Sequence, residues 1–118
     1  TVFIDVPEQS PLATEEIFGP VLLATEFETM SEAIRLANSS KYGLAASIWS
    51  ASLDEALTCA KALEAGIVHI NSYGEDDMSV PFGGIKESGL GKDKSLFAFD
   101  EYSNLKTTWV KLRTDNKE

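Results

Sequence analysis

Cysteine, histidine and basic charge are all scarce in this 118-residue sequence, and each scarcity closes off a class of function. The single cysteine, Cys59, has no partner for an internal disulfide, and with the single histidine, His69, it falls short of a zinc ligand set. Both facts set the expectation of a reducing, cytoplasmic setting and no metal. Ten Lys and Arg stand against nineteen Asp and Glu, a formal net charge of −9 without any basic cluster, so neither nucleic acid nor an anionic membrane is expected as a partner. No apolar run approaches the roughly 18 residues of a membrane span, and no basic start leads into an apolar stretch, so neither a span nor a signal peptide is expected. An initiator Met is missing too. The chain opens at Thr1 directly on the strand-like Val2-Phe3-Ile4, which reads as a segment of something longer.

What is present is enough for one domain with a core, since 43% of the residues are hydrophobic and 9% aromatic. Residues 21–27 read as a strand. Thr29 followed by Glu32 is a capping box, and Met30, Ala33, Ile34 and Ala37 then recur on one helical face until the polar run toward Gly43. Residues 45–49 read as a second strand, Ser52 with Glu55 as a second capping box, and Leu53, Ala56, Leu57, Ala60 and Leu63 as a second apolar stripe ending at Gly66. Residues 67–71 read as a third strand. Alternating strands and helices of these lengths predict parallel strands joined by right-handed crossovers. From Ser72 to Lys94 the periodicity fails; beyond it, 95–102 suits a short helix and 104–112 an edge strand, with a polar tail from Arg113.

Two stretches invite chemistry. In residues 11–20 (PLATEEIFGP), a carboxylate on a turn can accept two hydrogen bonds from a vicinal diol, as acidic groups hold a ribose, and a neighbouring Phe can pack on a flat ring. The plainer alternative is a helix start favoured by acids, with a core Phe. In residues 81–93 (PFGGIKESGLGKD), four glycines within nine positions permit close backbone approach, with Lys86 and Lys92 as cations. Neither the phosphate-loop order nor the three-glycine dinucleotide fingerprint is met, and a structural loop packed by its own glycines is the plainer reading. Cys59 reads as a small core residue, His69 as a core or interface histidine, and Glu75, Asp76 and Asp77 as a solvated acidic rim.

Taken in order and spacing, EEIFGP at 15–20, YGLAAS at 42–47, AGIVHIN at 65–71, PFGG-x-K-x-SG-x-G at 81–91 and LKTTWVKL at 105–112 resemble the C-terminal part of the NAD(P)-dependent aldehyde dehydrogenases. The match runs from Val2 to Leu112. Lys92-Asp93-Lys94-Ser95-Leu96 after the glycine loop, and Asp77-Met78 before it, look most like the γ-glutamyl-γ-aminobutyraldehyde dehydrogenase branch of putrescine breakdown. His69 departs from the more usual aromatic or aliphatic residue, and Lys92-Asp93 from the common Arg-Glu.

The resemblance implies a three-layer α/β/α fold with a mostly parallel sheet: residues 1–103 would end the catalytic domain, and 104–118 would be an oligomerisation strand and tail. It implies that Glu16 holds the nicotinamide ribose of NAD or NADP and that Phe18 lies against the nicotinamide. It further implies that Phe82 lines the substrate tunnel, that Tyr73, Glu75, Asp76 and Asp77 shape its mouth, and that Asn71 helps to hold this loop. The complete enzyme would oxidise an aldehyde, aminoaldehydes among the candidates, through a cysteine thiohemiacetal and thioester. Nucleophile, general base, oxyanion-hole asparagine and main dinucleotide loop would lie upstream of Thr1, so the segment contributes no catalytic residue and is expected to be inactive alone. Its expected partners are the aldehyde, the remainder of the parent chain and further copies of itself through 104–112. The competing readings are a non-catalytic interaction module of the same fold and a relative acting on acyl phosphates.

Overall fold

Hydroxyl side chains start the helices. In the computed structural model, which describes residues 1–74 and 77–112, Ser10 opens α1 (Pro11–Thr14), Thr29 opens α2 (Met30–Asn38) and Ser52 opens α3 (Leu53–Ala62). The Thr29 hydroxyl accepts from the Glu32 N–H at 3.2 Å, and the Glu32 carboxylate accepts in return from the Glu28 N–H at 2.9 Å. This is a capping box shifted one residue outward, satisfying two amides that the helix itself cannot. At α3 the Ser52 hydroxyl accepts from the Glu55 N–H at 3.4 Å.

Between and beyond these helices lie β1 (Val2–Ile4), β2 (Leu22–Ala24), β3 (Tyr42–Gly43), β4 (Ala45–Ile48), β5 (Ile67–Ile70), β6 (Ile85–Lys86) and a last helical turn, α4 (Ala98–Glu101). β1 pairs parallel with β2, and β4 parallel with β5 in the register Ala45 to Ile67 through Ile48 to Ile70. α3 is the crossover that returns the chain from β4 to β5 and packs on both, with α2 against α3. The alternating α/β reading therefore holds.

The described strands form three two-stranded ladders, two of them parallel and one, β3–β6, antiparallel. On β4, Ala45 and Ser47 stay exposed. The stretch 104–112 meets no strand partner among the described residues, and Leu105, Trp109, Val110 and Leu112 are exposed. One expectation needs correction. The helix expected over 95–102 shortens to α4 because Lys94 and Ser95 take left-handed backbone angles (φ 60° and 52°), which no helix continues through.

The glycine loop is packed by its own backbone. A side chain at Gly66 would stand 1.8 Å from the Gly83 carbonyl oxygen, and one at Gly83 would stand 2.2 Å from that of Gly91. Only glycine lets these three strands of backbone touch. The two lysines are also absorbed. Lys86 Nζ donates to the carbonyls of Asn38 (2.9 Å) and Ser40 (3.1 Å) past the end of α2 and pairs with Glu64, while Lys92 Nζ donates to the Gly84 carbonyl. Asn38 completes this junction, donating to the Ala62 carbonyl and accepting from the Glu64 N–H, both at 2.8 Å. The plainer reading of 81–93 is what the geometry shows.

Candidate functional site

Glu15 and Glu16 are neighbours with different fates. α1 ends before them, so they follow a helix C-terminus and do not favour a helix start, which removes the plainer reading of 11–20. The Glu15 N–H donates to the Pro11 carbonyl as the helix cap, and its carboxylate pairs with Lys41 at 3.4 Å. Glu16 lines a cleft of about 560 Å³ together with Asn38, Ser40, Tyr42, Glu87 and Ser88. Among the described residues its carboxylate has no ion pair or hydrogen bond, so both oxygens remain as acceptors. Phe18, two residues on, is 95% exposed and so is no core residue.

A second cleft, of about 800 Å³, is lined by Tyr73, Asp77, Val80, Pro81 and Phe82 from the loop and by Ser47, Ile67 and His69 from the β4–β5 ladder. Leu44, Ala45 and Ala46 line both clefts. Three of the five expected tunnel residues thus meet at one place. Glu75 and Asp76 lie outside the described residues. His69, directly across the ladder from Ser47, also reaches this cleft, a placement that its lone position in the sequence did not signal.

The loop that carries these side chains is fixed from several sides. Asn71 takes a left-handed angle (φ 53°) and clamps Ser50, donating to its carbonyl and accepting from its N–H, both at 3.0 Å. The Asp77 carboxylate accepts from the Ser79 N–H at 2.8 Å and so closes a turn; this backbone bond, with Ser79's side chain, holds its carboxyl below the usual range. Phe82 and Asp93 exchange backbone hydrogen bonds (2.8 and 2.7 Å), and the Lys94 ammonium stands 5.1 Å from the Phe82 ring centre. Such an arrangement shapes a cleft and presents charge at its rim. Cys59, on α3, lines neither cleft. Among the described residues no group of three or more His, Cys, Asp or Glu is arranged to hold a metal ion. No described helix is long and apolar enough to cross a membrane.

Known proteins share this sequence and fold. Residues 1–108 match the sequence model described as the aldehyde dehydrogenase family. The NADP/NAD-dependent aldehyde dehydrogenase PuuC of Escherichia coli (strain K12) is 48% identical over 112 residues, 95% of this chain and 23% of its own length. The aminoacetaldehyde dehydrogenase of Pseudomonas aeruginosa is 52% identical over 111 residues, 93% of this chain and 22% of its own. Among solved structures, the aldehyde dehydrogenase KauB from Pseudomonas aeruginosa superimposes with a TM-score of 0.84 at 54% identity, over 94% of this chain and 22% of that one. The P. syringae AldA indole-3-acetaldehyde dehydrogenase, solved with NAD+ and IAA, gives 0.84 at 53% identity over the same shares. The chain spans less than a quarter of the length of these relatives.

Proposed function

Because this chain belongs to the aldehyde dehydrogenase family, we propose that it is a segment of an enzyme that oxidises an aldehyde to the carboxylic acid with NAD or NADP, and that it builds part of the cofactor and substrate sites without supplying the nucleophile or general base. The observation that carries this reading is the division of labour between the two clefts. Glu16 lines one; Tyr73, Asp77 and Phe82 line the other; and Leu44, Ala45 and Ala46 are common to both.

The residues present fit a dinucleotide. Glu16 offers two unspent acceptor oxygens at a cleft rim, which is what a vicinal diol needs, and Phe18 offers an open ring face. When bound, the dinucleotide supplies the hydride acceptor. The work assigned to this chain is to hold the ribose through Glu16, to set the nicotinamide plane through Phe18, and to present the aldehyde along Phe82 at short range from it. In the complete enzyme, Glu16→Gln is expected to weaken cofactor binding about tenfold, the equivalent of about 1.5 kcal/mol for a hydrogen bond to a charged group, with the fold intact. Unchanged dinucleotide affinity together with an unchanged hydride-transfer rate would refute the role of Glu16.

The substrate class extends this reading. Asp77, with Asp76 and Glu75 beside it in sequence, favours an aldehyde that carries an ammonium group at its far end; one relative is named an aminoacetaldehyde dehydrogenase. Similarity at 77–78 and 92–96 supports a γ-glutamyl aminoaldehyde, whose α-amino group is also cationic. A rim pair in solvent is worth about 1 kcal/mol at most, so the expected preference is about fivefold and fades with salt. Its measure is kcat/KM for an aminoaldehyde against a neutral aldehyde of equal length, before and after Asp76→Asn with Asp77→Asn. Equal losses for both substrates, or none, would leave the loop as shape alone.

A further inference from the structure

The segment that carries Glu16 is weakly held. Between the α1 cap and Pro20 its backbone bonds are short-range among the described residues, the Gly19 N–H donating to the Ile17 carbonyl at 3.0 Å and the Gly19 carbonyl accepting from the Val21 N–H at 2.8 Å, and Ile17 and Phe18 are exposed. Pro20 and Leu22 then anchor the chain to β1, the Thr1 nitrogen donating to the Pro20 carbonyl and the Leu22 N–H to the Thr1 carbonyl at 2.9 Å, where the β1–β2 ladder starts. On the cleft side the described structure offers one side-chain tie, the Lys41 ammonium. It stands 3.4 Å from a Glu15 oxygen, 3.8 Å from a Glu87 oxygen and 5.3 Å from the centre of the Tyr42 ring. Lys41 itself sits on a firm base, since its carbonyl accepts from the Glu87 N–H at 3.0 Å and the next residue begins the β3–β6 ladder. Glu16, Tyr42 and Glu87 share the lining of one cleft.

We propose that Lys41 is a positioning residue for the cofactor site: by bridging Glu15 and Glu87 it fixes the 15–19 segment against the glycine-loop hairpin and so sets the placement of the Glu16 carboxylate. Lys41 touches neither cofactor nor substrate in this scheme. It acts by drawing the neighbouring acid away, which leaves Glu16, and not Glu15, as the carboxylate presented to the cleft. The inference rests on the reading of Glu16 as the ribose-holding group, and the test separates the two.

The experiment uses the complete enzyme and four variants: Lys41→Met, Lys41→Arg, Glu16→Gln and the Lys41→Met/Glu16→Gln double variant. The readouts are the equilibrium dissociation constant of the dinucleotide, without aldehyde, and amide hydrogen exchange of residues 15–19 in the free protein. Lys41→Met is expected to weaken dinucleotide binding about two- to fivefold, the range of a solvent-facing ion pair, and to speed exchange across 15–19 while the melting temperature stays put. Lys41→Arg should restore both, and high salt should mimic the Met variant in the wild type. In the Glu16→Gln background, Lys41→Met should add no further loss, because the group it positions is gone. If Glu16→Gln weakens binding but Lys41→Met changes neither affinity nor exchange, Lys41 has no positioning role and the reading of Glu16 survives. If Lys41→Met speeds exchange yet Glu16→Gln leaves affinity unchanged, the segment is tethered as described but Glu16 does not hold the ribose, and the inference falls with that reading.

Discussion

At the scale of the residue, the fate of a charge here is decided by partners far away in sequence. Lys86 looked like a free cation in a glycine loop, yet its ammonium closes the end of α2, pairs with Glu64 and is part-buried. The two carbonyl partners lie 46 and 48 residues back, beyond the reach of any local pattern. Lys86→Met is expected to cost about 1–3 kcal/mol, measured by thermal unfolding of the complete enzyme, because two carbonyls and a carboxylate lose a charged donor. A loss no larger than that of an exposed lysine would show that the junction is held by Asn38 alone. The glycines divide in the same way. Gly66→Ala forces a methyl group against the Gly83 carbonyl and should destabilise by at least about 3 kcal/mol, the upper part of the overpacking range, whereas Gly19→Ala meets nothing within 4 Å and should be close to neutral.

The exposed pair Glu8–Arg35, with two oxygens on two guanidinium nitrogens at 3.0 Å each, gives a pH dependence of known sign. Its hydrogen bonds and charge hold the Glu8 carboxyl below its ordinary range. A depressed folded value means that the pair's contribution is complete above the unfolded carboxylate range and is lost as pH falls through the lower folded one. In the complete enzyme, melting temperatures of the wild type and Glu8→Gln should therefore differ near neutrality and converge in acid. A gap that persists once Glu8 is protonated in the folded state would assign the difference to packing.

At the scale of the element, the helices were readable because their signals are local. Thr29 with Glu32 and Ser52 with Glu55 marked the starts of α2 and α3, while of the apolar stripe from Leu53 to Leu63 Ala56 is buried where α3 packs on the β4–β5 ladder and Leu53 and Leu57 stay exposed. β6 was not readable: two residues inside a glycine loop pair with Tyr42 and Gly43, and only the topology creates that strand. The converse holds at 104–112, where strand-like alternation meets no partner. Of the candidate site, Tyr73, Asp77 and Phe82 do share a cleft, which their common loop made foreseeable; His69 joins them only because β5 registers on β4. We propose that 104–112 becomes a strand on the sheet edge of another subunit, since Leu105, Trp109, Val110 and Leu112 invite strand addition. Trp109 is 93% exposed here, so its fluorescence should shift to the blue as concentration rises and copies associate. A strictly monomeric chain with red, fully quenchable Trp109 emission at high concentration would end that proposal.

At the scale of the whole molecule, one number governs the expected behaviour of the 118-residue chain: among the described residues only Ala56, 1% exposed, forms a fully buried apolar core. The radius of gyration is 22.4 Å and the long axis 88 Å, where a compact domain of this length has a radius of about 13–14 Å. Phe3, Ile17, Phe27, Leu53, Leu57, Phe97 and Phe99 are all exposed, so the apolar faces that the sequence patterns so regularly are not turned toward one another. Hydrophobic burial at about 25 cal/mol per Å² is what offsets the entropy of ordering a chain, and with those faces uncovered the balance is near zero or unfavourable. The chain on its own is therefore expected to bind a hydrophobic dye, to show no cooperative thermal transition and to give no NADH with any aldehyde. The last expectation follows from the proposed function, which places the nucleophile outside this chain. Supplying the remainder of the proposed parent in trans should bring back a cooperative transition, because it covers the same faces. A sharp, dye-silent melting transition of the isolated chain would show that it buries a core by some other arrangement, and NADH formation abolished by Cys59→Ser would make Cys59 a nucleophile and overturn the placement of the chemistry outside this segment.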